Sequence, residues 1–402
     1  MSSIIAERML NIKSSPILSI TDKANQLKAK GLKCCVMSAG EPDFDIPEHI
    51  KQAAIAAINN GKNKYTSVSG TQELKEAIIN KFEKDNGLTY KASQICVTVG
   101  AKQALYNLFM STINNGDEVI IPAPYWASYV DMVAISGGKS VIIECKQENN
   151  FKLLPALLEE KITSKTKWLM INSPSNPTGT VYTYDDLKDI AQVLLKYPHV
   201  NIVTDDIYEH IIYNNQKFFN IAQVEPKLYE RVFIINGASK AYSMTGWRIG
   251  YIAGKSDVID AVSTIQSQST SNPNSIAQAA TVAALNGSHD FLKERVEVFR
   301  RRRDMVIGKL REIPGLSVFV PNGAFYLFIS CNDLMGRCTK KGKLIENDLN
   351  FAEYLLDDYL VAVVPGVAFG MQNFIRISYA ASEEQLSYGC DQITKACKSL
   401  YR

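Results

Sequence analysis

Between about residue 95 and residue 270, short apolar runs of β-forming residues alternate with segments of helical period. No other feature limits the fold open to this chain so strongly. The runs lie at 95–99, 118–121, 140–144, 168–172, 201–204, 232–236 and 249–253, and helical patterns occupy 102–111, 184–196 and 257–268. Strands separated by helices do not pair as hairpins. Each helix carries the chain back over the sheet, so the expectation is an α/β fold with a mostly parallel seven-stranded sheet covered on both faces. Ligands on such sheets bind beyond the carboxyl ends of the strands, which directs attention to the loops there.

After about residue 286 the alternation stops. A long helix is expected at 289–313, separate strands at 317–319, 324–329 and 376–379, and further helices at 350–359 and 383–400. These make a small α+β unit, with which the first forty-odd residues are expected to pack. The predicted division is a large domain over 46–286 and a discontinuous small domain from 1–45 and 287–402. A chain of 402 residues is long enough to give each its own core.

Composition removes several function classes. A net charge of +3 is too small to imply a nucleic-acid or anionic-membrane partner, and no stretch approaches the roughly 20 apolar residues of a membrane span. The eight cysteines contain no C-x-x-C pair and the four histidines lie near none of them, so no metal is expected. Scattered thiols fit a reducing compartment, and the expected location is cytoplasmic.

Four strand-end features could carry chemistry. In Ile234-Ile235-Asn236-Gly237-Ala238-Ser239-Lys240 an apolar run ends in small residues and a lysine, and Arg248 follows inside Gly246-Trp247-Arg248-Ile249-Gly250. A desolvated lysine can attack an aldehyde, and an arginine offers a planar fork to phosphate. In Thr204-Asp205-Asp206-Ile207-Tyr208, an acid is followed three residues later by a tyrosine. Asn172-Ser173-Pro174-Ser175-Asn176-Pro177-Thr178-Gly179 is a turn that presents an amide. Val99-Gly100-Ala101-Lys102 joins a strand to a helix whose free amides could take an anion. Each feature alone also has a plain structural explanation: a solvated lysine, a capping acid, a turn, a common strand–helix joint.

Two other patterns carry nothing. Gly138-Lys139-Ser140 resembles a P-loop end, but the glycine it requires would fall at Val133, and no G-x-G-x-x-G occurs, which removes the dinucleotide reading. The basic run at 300–303 follows Glu294 and Glu297 and reads as a solvated helix face.

The four features occur together in an order that resembles the class I aminotransferases of pyridoxal-phosphate fold type I. The likeness runs from Ala39-Gly40-Glu41-Pro42-Asp43-Phe44 to Phe374-Ile375-Arg376-Ile377-Ser378-Tyr379. Pro124-Tyr125-Trp126 and Ala241-Tyr242-Ser243-Met244-Thr245-Gly246-Trp247-Arg248 look most like the bacterial aspartate/prephenate branch. The resemblance implies that Lys240 holds pyridoxal 5'-phosphate as a Schiff base and acts as the catalytic base. Asp205 would pair with the pyridine nitrogen, Asn176 and Tyr208 with the ring oxygen, and Trp126 would stack on the ring. Arg248, the backbone of Ala101 and Lys102, and Ser239 would hold the phosphate, with Tyr65 reaching the phosphate of a neighbouring subunit in a homodimer. Arg376 would grip the substrate α-carboxylate beside Gly40, Trp126 and Asn176, and Lys102 would take a second carboxylate. One departure is Gly237, where family members often carry a phosphate-binding serine.

The substrates so implied are amino acids and 2-oxo acids, exchanged by ping-pong transamination. Prephenate-using relatives carry a threonine where Lys13-Ser14-Ser15-Pro16-Ile17 has isoleucine. Loss of a hydroxyl that bonds substrate costs discrimination, so L-aspartate with 2-oxoglutarate is favoured over prephenate, aromatic or other amino acids. A β-lyase and a non-catalytic pyridoxal-phosphate-fold binding domain are the readings from other classes.

Overall fold

The apolar runs assemble side by side in a computed structural model that describes residues 4–12 and 16–401, apart from the side chains of residues 11 and 16–18. Among the described residues they form one seven-stranded sheet, in the order Ile95–Thr98, Gly250–Ala253, Val232–Gly237, Asn201–Asp205, Thr166–Asn172, Glu118–Ala123, Lys139–Glu144. Only Gly250–Ala253 runs antiparallel to its neighbours. Successive side chains on a strand enter opposite cores. Leu169, Ile171, Ile202 and Ile234 join one apolar cluster, while Trp168, Met170, Val203, Phe233 and Ile235 join another. Both faces are therefore dry, which is why these strands are continuous apolar runs and not alternating ones.

The parallel register brings the strand ends level. Asn172 pairs with Asp205, and Asp205 with Ile235. Next to them Gly237 pairs with Gly250, which pairs with Thr98 on its other side. The two glycines are required by close approach. A Cβ on Gly250 would collide with the Ala101 amide, so the helix Ala101–Thr112 can start directly against the sheet.

A second, antiparallel sheet has the order Val364–Pro365, Phe374–Ser378, Tyr326–Ser330, Ser317–Val318. Cys35–Val36 pairs with Val361–Ala362. Ile20, Ala24 and Met37 share one apolar cluster with Phe299, Val306, Leu327, Phe351, Ile377 and Ile393, so the two ends of the sequence bury a common surface. The strand expected from 324 starts at Tyr326, because Ala324 has a left-handed φ of 53°. The helix expected at 289–313 is Asp290–Leu310. Three two-residue strands, Cys35–Val36, Val361–Ala362 and Val364–Pro365, are too short to show a period. Among the described residues no helix is long and apolar enough to cross a membrane, and all eight cysteines are free thiols.

Candidate active site

A cavity of about 300 Å³ opens at the carboxyl ends of the central strands. Its lining includes Gly40, Ala101, Lys102, Trp126, Asn176, Asp205, Tyr208, Ser239, Lys240, Arg248 and Arg376. Sequence reasoning named all of these. It missed Tyr129, Asn172, Thr245 and Tyr326, which line the same cavity.

Asp205 ends its strand at the floor of the cavity and is buried. Its Oδ2 accepts the Tyr129 hydroxyl at 2.7 Å, and Oδ1 faces the Ile207 amide at 3.4 Å. Burial pushes the carboxyl up to about 6, while the Tyr129 hydroxyl, the Ile207 amide and the charge on Lys240 pull against that rise. Tyr129 itself is held well above its usual value by burial and by the neighbouring Asp205. An ionised Asp205 thus lacks a full counter-charge and suits a cationic N–H. Tyr129 lies three residues beyond Trp126, in the first turn of the helix Ser128–Ile135, and their rings meet edge to face at 5.3 Å. That spacing was the only signal available in the sequence.

Lys240 follows Val232–Gly237 in a turn, with Nζ donating to the Gly40 carbonyl at 2.6 Å. The Tyr208 ring lies 5.9 Å from Nζ. Burial lowers the amine to about 8. Glu41 and Asp205 work against that shift, and Arg376 and Arg248 reinforce it. A minor fraction of the amine is therefore unprotonated at neutral pH and about half of it near pH 8, the state a nucleophile or proton acceptor needs.

Two arginines flank the lysine. Arg376, on strand Phe374–Ser378, is buried, donating from Nη1 to Asn176 Oδ1 at 2.9 Å and from Nη2 to the Ser38 carbonyl at 2.7 Å. Its Nε has no hydrogen-bond partner among the described residues, and burial together with the Tyr326 and Tyr208 hydroxyls, with no carboxylate, makes up its surroundings. Tyr326 packs beneath it at 4.6 Å and bonds the Tyr208 hydroxyl at 2.8 Å. A buried guanidinium without a counter-ion is costly and is matched by an anionic ligand. Arg248 adopts a left-handed φ of 57° and donates to the Thr245 carbonyl at 2.8 Å. Its guanidinium fills the space where a Cβ on Gly100 would be, beside the start of Ala101–Thr112. That helix has no side-chain cap and no acid in its first turn; the Gln103 backbone amide bonds the Gly100 carbonyl at 3.0 Å, and the amides of Ala101 and Lys102 are the ones left for an anion. Lys102 Nζ lies 4.8 Å from the Trp126 ring, and burial, with Arg248 nearby, lowers its pKa.

These groups fit pyridoxal 5'-phosphate: amides and a guanidinium for phosphate, a carboxylate for a ring nitrogen, an aromatic face and a poised amine for an aldehyde. Gly237 could not carry the family's serine in this packing. A Cβ there would lie 2.7 Å from the Ile249 carbonyl and 2.8 Å from Gly250 Cα. Tyr65 is not brought to this cavity; its side chain is 90% exposed and lines a separate surface pocket with Lys64 and Thr66. Of the segment aligned with the prephenate threonine, residues 13–15 lie outside the described part, as does the side chain of Ile17.

Residues 33–393 match the model of the family Aminotransferase class I and II. The chain is 52% identical over 398 residues to a probable aspartate/prephenate aminotransferase of Rickettsia felis, covering 99% of this chain and 97% of that protein. It is 51% identical over 395 residues to an aspartate aminotransferase of Rhizobium meliloti, covering 98% and 96%. The crystal structure of the Rhizobium meliloti aspartate aminotransferase superposes with a TM-score of 0.96 at 50% identity, covering 100% of each chain. The Thermus thermophilus aspartate aminotransferase with maleate gives 0.92 at 39% identity, covering 98% of this chain and 100% of that one.

Proposed function

The chain belongs to the class I and II aminotransferases, and from that premise we propose that it moves the amino group of L-aspartate to 2-oxoglutarate, giving oxaloacetate and L-glutamate, with pyridoxal 5'-phosphate held on Lys240. The observation that carries the reading is Arg376, a buried guanidinium whose Nε waits for an acceptor while Asn176 and the Ser38 carbonyl fix its plane. A carboxylate completes that fork. Lys102, beside Trp126, is the cation for the second carboxylate of a dicarboxylic substrate.

The bound cofactor supplies an electron sink for the electrons left when the substrate Cα loses its proton. The residues of the chain do the rest. Asp205 keeps the ring nitrogen protonated and is itself fixed by Tyr129. Tyr208 and Asn176 serve the ring oxygen, and Tyr326 fixes the Tyr208 hydroxyl. Arg248, the amides of Ala101 and Lys102, and Ser239 hold the phosphate. With the cofactor bound, the Lys240 amine would be the group placed to take the proton from the substrate Cα and give it back, as base and then acid. One site serves both substrates in turn, so the kinetics are ping-pong.

The exposure of Tyr65 away from the cavity supports a homodimer in which it reaches the partner's phosphate. The apolar surface shared by Ile20, Met37, Phe351 and Ile377 supports a small domain of 1–45 with 287–402 beside a large one of 46–286. Prephenate is the second reading, favoured by the name of the Rickettsia felis relative and opposed by Ile17.

The test is the visible spectrum of the purified protein, with L-aspartate added alone and 2-oxoglutarate afterwards. Conversion to the pyridoxamine form and return on adding the oxo acid are expected. A bound cofactor that ignores aspartate but responds to aromatic amino acids would refute the substrate. Release of ammonia, pyruvate and sulfide from L-cysteine without an oxo-acid acceptor would make the protein a lyase.

A further inference from the structure

The segment 38–41 crosses the mouth of the cavity and touches three of its residues. The Ser38 carbonyl accepts from Arg376 Nη2 at 2.7 Å, and the Gly40 carbonyl accepts from Lys240 Nζ at 2.6 Å. Glu41 Oε2 accepts from Thr245 Oγ1 at 2.8 Å. Thr245 in turn gives its carbonyl to Arg248 Nη1 at 2.8 Å. Glu41 is otherwise exposed, so burial does not explain the contact. The contact joins the strap to the turn that carries Arg248, across 204 residues of sequence.

We propose that Glu41 is a positioning residue of this site: latched to Thr245, it pins the strap so that the Gly40 carbonyl meets the Lys240 amine, and it sets a fixed negative charge beside that amine. The inference rests on the reading of Lys240 as the cofactor lysine. The charged groups facing the amine are Glu41 on the strap, Asp205 at its strand end, Arg376 on Phe374–Ser378 and Arg248 beyond the turn, with the Tyr208 ring 5.9 Å away. Two cations oppose the protonated amine and two carboxylates favour it, with Glu41 the strongest of these charges. Burial is the main influence on the Lys240 amine, and the latch holds in place the largest of the charges that oppose it. It also fixes the carbonyl that holds the amine until the cofactor aldehyde takes its place. A purely mechanical latch would do only the second.

The experiment is capture of pyridoxal 5'-phosphate by cofactor-free protein, followed by absorbance against pH in wild type, Glu41→Gln, Glu41→Asp and Thr245→Val. The amide of Glu41→Gln still accepts from Thr245 but has no charge. Its capture midpoint is expected to fall by about 0.5–1 unit, so capture well below the midpoint is about three- to tenfold faster. Glu41→Asp retains the charge and is expected to stay within about 0.3 unit of wild type. Thr245→Val cuts the latch, and hydrogen exchange at residues 38–41 is expected to speed up, whereas Glu41→Gln leaves it unchanged. A folded Glu41→Gln protein with the wild-type midpoint would overturn the proposal, as would unchanged exchange in Thr245→Val. Wild-type protein that captures no cofactor at any pH would instead overturn the reading of Lys240.

Discussion

Asp205→Asn should stabilise the cofactor-free protein while weakening its hold on the cofactor. The buried carboxyl is pushed from 3.8 to about 6, a rise of about 2 units, mainly by desolvation. At 1.36 kcal/mol per unit, the penalty for folding around the charged form is at most about 3 kcal/mol. Because the folded pKa is the higher one, the penalty is absent below about pH 4, grows as pH rises towards 6, and is complete above it. Asparagine removes the charge and its oxygen still accepts from Tyr129, but its other polar atom no longer accepts the 3.4 Å contact from the Ile207 amide. That loss costs roughly 0.5–1 kcal/mol, which leaves a net gain of about 2 kcal/mol at pH 8. The two chains differ at one site, so titrating groups that do not interact with Asp205 cancel in the comparison, and Lys240, which does, is a correction to it. Urea unfolding of cofactor-free wild type and Asp205→Asn at pH 5 and pH 8 measures it. The advantage of the variant should grow by about 1–1.5 kcal/mol between the two pH values. With cofactor present the order reverses, because the loss of a charge-assisted bond to the ring nitrogen weakens binding by about 10- to 100-fold. A variant no more stable than wild type at pH 8, with the same pH dependence, would refute the argument that Asp205 is a buried charge awaiting a cation.

Three further changes have defined outcomes. Lys240→Ala should abolish transamination and leave the far-ultraviolet circular dichroism intact; an active variant would refute the assignment of the lysine. Arg376→Lys keeps the charge but loses the planar fork, and KM for both amino and oxo acid should rise by about 10- to 100-fold in steady-state kinetics. Gly237→Ser forces a side chain against the Ile249 carbonyl and Gly250 Cα, and should cost about 1–3 kcal/mol in urea unfolding without tightening the cofactor. A tighter, undisturbed Gly237→Ser protein would show that the strand pairing is looser than described.

The large sheet was legible because its information is local. Continuous apolar runs separated by helical patterns can bury two faces in few ways other than a parallel sheet, and such a sheet gathers its loops at the strand ends. Lys240, Asp205, Asn176 and the start of the helix at Ala101 each follow such a run, so ordered motifs in the sequence already marked one site. The two-residue strands Cys35–Val36, Val361–Ala362 and Val364–Pro365 were not legible, since two residues have no period, while Ser317–Val318 fell within the run at 317–319. Ala324 reads as part of a strand in the sequence because its left-handed backbone leaves no mark in the side chain.

The sequence alone thus determined the sheet and most of the residues that line the cavity at its strand ends. Only the tertiary structure decided how those groups are tuned. Tyr129 meets Asp205 across 76 residues, Tyr208 meets Tyr326 across 118, and Arg376 meets Asn176 across 200. Nothing near either partner in the sequence specifies such a contact. Each exists because crossover connections bring distant strand ends level and the second sheet packs over them. The burial that moves Asp205 up and Lys240 down comes from the same assembly. A pKa shift depends on what surrounds a group in space, and that is settled only when the chain has folded.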